Sequence, residues 1–200
     1  MGSDSMTFPL FPKGRAMRLI HWVVVAAILF PIPTFAAAPI LPDAVRTPGR
    51  SDPTITSDNY RRYLCAGKKS KKLHTTDERR PTTAYTNDVK VRQLEEWDYT
   101  NKTKGAYEED HLISLELGGD PKVEKNLWPQ PYSGKWNARV KDTLEHELGE
   151  RICLDEGEPD HISLRVARRV VTGDWITSYK KYVCSRTRRE LTDLMKAQCK

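Results

Sequence analysis

The stretch Tyr107–Asp120, YEEDHLISLELGGD, sets a carboxylate and an imidazole side by side, Asp110 and His111, between a run of acids and a Gly-Gly pair. A neutral imidazole accepts a proton near neutral pH, because its unperturbed pKa is about 6.5. A carboxylate can hold a hard divalent cation. Either group can equally be plain surface decoration, and a lone Asp-His pair does not decide between the two. Geometry adds a condition. Successive side chains on an extended strand point to opposite faces, so the strand must end or bulge at Asp110–His111 for both groups to reach one atom. The glycine pair Gly118-Gly119 makes such an irregular end plausible.

The neighbouring elements must do the positioning. A short helix is expected in TNDVKVRQLEEW, capped by Thr86 or Asn87, with Val91, Leu94 and Trp97 facing inward. A strand is expected between Ala106 and Leu117, bending at the glycines. NLWPQPYSG reads as an extended stretch pinned by Pro129 and Pro131. A helix follows from Lys135 to Leu148, where Val140, Leu144 and Leu148 recur every fourth residue. After the polar break LDEGEPDH comes another helix, with Ile162, Val166 and Val170 as one stripe and Ala167, Val171 and Trp175 beside it. Residues 185–200 read as a basic, helical tail. Trp128, Trp136 and Trp175 are most simply core.

With that layout in place, three blocks resemble one family. DHLISLELGGD, NLWPQP and WNARVKDTLE stand in order and at the spacing of the HNH nucleases of the ββα-metal type, closest to secreted bacterial proteins built around DHLIPLELGG, NLWPQP and WNA..KD.LE. The resemblance runs back to Cys65 and forward through ICLDEG to VVTGDWITSY. It departs at Ser114, where the pattern prefers Pro, and in the Lys-rich text after Cys65. It implies an α+β fold: a ββα-metal finger core with flanking helices, stabilised by disulfides, over residues 60–184. It implies a metal-dependent endonuclease, with His111 as general base, Asp110 as metal ligand and Asn137 as a second ligand. Asn126 would hold the loop and orient His111 through an amide hydrogen bond. Glu108 and Glu109 are expected to be solvated or to support the ligands from behind, with Glu109 the outside candidate for a further ligand. One carboxylate and one amide suit a single Mg²⁺ or Mn²⁺ that keeps several waters.

These residue types fit phosphodiester cleavage. The diester's negative charge repels a nucleophile and its alkoxide leaves poorly, both of which a divalent cation relieves. Contacts to phosphate are expected from Arg139 and Lys141 on the helix. A further strip, Arg61, Arg62, Lys68, Lys69, Lys71 and Lys72, contains no acid; it is either a solvated loop or a phosphate-backbone contact surface. No element suggests base reading, so little sequence preference is expected, on DNA before RNA. The alternative from another class is a catalytically inactive, disulfide-stabilised module on the same scaffold that binds nucleic acid or is structural.

Composition sets the setting. Of 200 residues, 33 are Lys or Arg and 27 Asp or Glu, a net +6 that is too mild to dictate an anionic partner. Lys13, Arg15 and Arg18 precede LIHWVVVAAILF and then PIPTFAAAP, the plan of a secretory signal peptide over residues 1–36, with Met17 an alternative start. Pro31 and Pro33 interrupt the apolar run short of a membrane span. A secreted or periplasmic monomer without stable membrane association is therefore expected. Residues 37–59, rich in Pro, Ser, Thr and Asp, read as a flexible leader. All four cysteines, Cys65, Cys153, Cys184 and Cys199, lie beyond the signal, and an even count in an exported chain suggests two disulfides. Three pairings are open; Cys65–Cys153 with Cys184–Cys199 is preferred. CxxC and CxxH spacings are absent, which argues against cysteine-bound zinc.

Overall fold

The computed structural model describes residues 41–65, 76–186 and 191–200, all inside one compact unit, Phe35–Lys200. The expected signal segment and Lys68, Lys69, Lys71 and Lys72 lie outside the described residues. The chain is α+β: a two-stranded antiparallel sheet with helices around it.

Helix α1 is a single turn, Thr76–Arg79. Helix α2 spans Thr83–Glu96 and starts earlier than expected, because the Thr82 hydroxyl, not Thr86 or Asn87, accepts from the Tyr85 N–H. The inward face also differs: Val89, Lys90, Gln93 and Leu94 are buried, whereas Val91 is exposed. Strand β1, Tyr107–His111, pairs with β2, Leu127–Pro131, in the register Tyr107↔Pro131 to His111↔Leu127. The flanking bonds, Leu112 N to Asn126 O and Tyr132 N to Ala106 O, show why Pro129 and Pro131 are tolerated. They fall on the alternate residues of β2 whose N–H groups would point away from β1. The outward carbonyls of that edge are taken up as well: Leu127 O by the Thr47 hydroxyl and the Gln93 amide, Pro129 O by the Tyr99 hydroxyl.

The expected strand to Leu117 stops at His111 and gives way to a 3-10 turn at Leu115–Leu117. Gly118 then adopts φ 73°, and a Cβ on Gly119 would lie 1.7 Å from the Ile113 carbonyl oxygen. The pair is thus fixed by a left-handed turn at one residue and by close backbone approach at the next. Arg168 clamps the turn from behind, donating to the carbonyls of Leu117 and Gly118.

Helix α3, Ala138–Ile152, is capped by Asn137 and buries Val140, Leu144, Leu148 and Ile152 on one stripe. The next expected helix divides in two. Ser163 caps α4, Leu164–Thr172; Asp174 caps α5, Trp175–Tyr182; Gly173 separates them. Leu164, Ala167, Val171, Trp175 and Tyr179 pack with the α3 stripe into the main core, and half-buried Trp136 meets Trp175 and Tyr179 edge-on. In the tail, α6 is Asp193–Gln198.

Two disulfides, Cys65–Cys153 and Cys184–Cys199, close separations of 88 and 15 residues. The first ties the π-helical turn Arg61–Cys65 to the end of α3, and closing so long a loop removes several kcal/mol of unfolded-chain entropy, about 4–5 by loop length. One expectation is corrected. The stretch 41–59 is not loosely held: Thr47 and Ile55 are buried, and Ser51 bridges to Gly119. No helix among the described residues is long and apolar enough to cross a membrane.

Candidate active site

Alternation along β1 sends Glu108 and Asp110 to one face of the hairpin. The first turns of α3 come up against that face and bring Asp142 and Glu145. Together with Arg80 and His111 these groups line an open cavity of about 190 Å³. Glu108, Asp110 and Asp142 each offer a carboxylate oxygen, and the three atoms lie within 4.8 Å of one another. Burial, with Asp110 adding repulsion, pushes Glu108 up to about 7 and Asp142 up to about 6. Carboxylates so placed could share one divalent cation. Three hard oxygens suit Mg²⁺ or Mn²⁺; among the described residues no free thiol is present to favour a softer metal.

His111 is the last residue of β1, still paired with Leu127, and it lines the cavity together with Asp110. The ring of His111 lines the cavity, with Nε2 at 3.1 Å from the Pro121 carbonyl. A carbonyl only accepts, so in the neutral ring Nε2 carries the proton and Nδ1 keeps the lone pair. Burial lowers the pKa of His111, with Arg80 and Lys141 adding to the effect, while the Pro121 bond and Asp110 oppose it. The imidazole is held neutral, the form in which it can accept a proton.

Asn126 does hold the loop, but without touching His111. Its Oδ1 accepts from Ile113 N and Arg50 N, and its Nδ2 donates to Ile113 O and Asp120 O. It therefore fixes the backbone beside Pro121, and His111 is oriented through that carbonyl. The Arg50 contact comes from the stretch expected to be a flexible leader.

Three expected roles change. Asn137 is not among the cavity-lining residues. Its Oδ1 accepts from Val140 N and its Nδ2 donates to Gly134 O, so both amide atoms serve the helix cap. Lys141 is fully buried rather than facing a phosphate. Its Nζ lies 2.7 Å from Asp110 Oδ2, 3.0 Å from the His111 carbonyl and in contact with Glu145 Oε1. Although burial opposes it, Asp110 and Glu145 raise its pKa, so it stays charged. Glu109 points to the α2 side of the sheet, buried, with neither oxygen hydrogen-bonded, and burial pushes it up to about 9. It is a neutral acid away from the cavity. Arg139 is exposed and lies over the Tyr132 ring, whose hydroxyl bonds to Glu108.

Sequence reasoning thus missed Glu108, Asp142 and Arg80. Glu108 was readable as the i−2 neighbour of Asp110 on a strand. Asp142 and Glu145, three apart, share a helix face. Nothing in the sequence pointed to Arg80, which reaches the cavity only because α1 packs beside the Leu115–Leu117 turn. Comparison of the chain with protein-family models, with curated proteins and with solved structures finds no match.

Proposed function

We propose that the protein is a metal-dependent endonuclease of the HNH, ββα-metal type, hydrolysing phosphodiester bonds with little sequence preference. One observation carries the reading: a buried, neutral imidazole lines the same cavity as three converging carboxylates. The succession β1, β2, α3 is the order of elements that the resemblance implies. Glu108, Asp110 and Asp142 would hold one divalent ion, Mg²⁺ or Mn²⁺, which when bound neutralises charge on the phosphate and the leaving oxygen. His111 takes the proton of the attacking water on Nδ1, while Pro121 keeps the ring from turning. Arg80, exposed at the cavity, supplies a cation for a backbone phosphate, and Arg139, over the Tyr132 ring, a second. Such contacts position a nucleic acid without reading its bases. Two disulfides fit an oxidising compartment, in keeping with export.

The test is nicking of plasmid DNA with Mg²⁺ or Mn²⁺, with and without EDTA. Replacing His111 by Ala is expected to slow cleavage by about 10²–10⁴-fold, the usual contribution of a general base. Nicking that continues unchanged in the variant removes His111 from the chemistry. A wild-type protein that binds DNA but does not cleave it with any of the metals tried is the inactive binding module instead.

A further inference from the structure

Lys141 has three N–H donors and three acceptors around it: Asp110 Oδ2, Glu145 Oε1 and the carbonyl of His111. No donor is left for a substrate, and the side chain is 0% exposed. The Trp128 indole N–H also donates to Asp110 Oδ2, at 3.2 Å. That oxygen is therefore doubly engaged, and Oδ1 is the one remaining for a cation. The same ammonium holds the carbonyl of His111, the last residue of β1. Asp142 follows Lys141 on α3, so the contact that fixes Asp110 also sets where Asp142 stands relative to it.

Resting on the metal site read above, we infer that Lys141 is a positioning residue: it stays bound to Asp110 Oδ2 when a divalent cation arrives, so that Asp110 binds the cation through Oδ1 alone. The competing arrangement is a placeholder, in which the ammonium occupies the cation's position and must leave when the metal binds. Burial and the full set of acceptors favour the first. An ammonium leaving this pocket would lose all three partners.

The test uses Mn²⁺ binding, followed by titration calorimetry on the full chain without nucleic acid. Lys141→Met alone leaves Glu145 buried and unpaired, so the informative variant is K141M/E145M, which removes both charges. Positioning predicts a folded protein, less stable than wild type because Asp110 keeps no counter-ion, with Mn²⁺ affinity at least ten-fold weaker because Asp110 has lost its fixed orientation. Affinity equal to or above wild type overturns it. If the double variant does not fold, the wild-type protein decides by ¹⁵N NMR of the lysine ammonium groups. A slowly exchanging Lys141 signal that persists on adding Mg²⁺ supports positioning, and its move to the position of solvated lysines overturns it. Wild-type protein that binds neither ion removes the metal site itself, an outcome distinct from equal binding by wild type and variant.

Discussion

Helix α3 has two buried faces that are stabilised in opposite ways. One carries Val140, Leu144, Leu148 and Ile152 into the apolar core around Trp175 and Tyr179. The other carries Lys141 and Glu145 against Asp110. Apolar burial is non-directional, roughly additive in area, and tolerant of small shifts. Buried charge is the reverse: each group is costly alone and acceptable only while every partner is in place. A helix that must hold carboxylates within a few ångströms of a strand gains its rigidity from the first face and its precision from the second.

Single substitutions should separate the two faces. Lys141→Met strips the counter-ion from two buried carboxylates and is expected to destabilise by about 3–5 kcal/mol. Equilibrium urea unfolding measures this, and adding Glu145→Met should recover part of the loss. Leu148→Ala is expected to cost about 2–5 kcal/mol, depending on how far the core collapses into the space. No second substitution on the polar face should restore it. A Leu148→Ala loss that E145M does relieve would mean that the faces are coupled rather than independent. The smallest effect is expected at Asn137, where Ala removes a helix cap worth about 1 kcal/mol. Mn²⁺ affinity should be unchanged in that variant; a ten-fold fall would restore Asn137 as a ligand.

The comparison also shows where reading the letters succeeds. The α3 stripe, the β2 stretch NLWPQP and the glycine turn were legible because each is written in local spacing or in backbone requirements. Gly118 needs a left-handed φ and Gly119 a missing Cβ, and both needs attach to the residue itself. The start of α2 was misplaced because several Thr and Asn residues there are equally able to cap, and packing chose Thr82. The ligand set was misjudged for a related reason. Asn137 carries the right chemistry near the right helix, but a cap position spends both amide atoms on the backbone.

What the sequence determined by itself was an α+β chain with a strand and an extended NLWPQP stretch, a following amphipathic helix, four cysteines and a carboxylate–imidazole pair near a glycine turn. Only the tertiary structure decided that Glu108 and Asp142 join Asp110, that Glu109 does not, and that Lys141 lies inside. The physical reason is range. Periodicity and turn chemistry act over a few residues, whereas the ionic state and role of a carboxylate or an ammonium depend on which distant groups share its burial. A lysine reads as surface until three acceptors, from Asp110 and His111 on β1 and Glu145 on α3, enclose it.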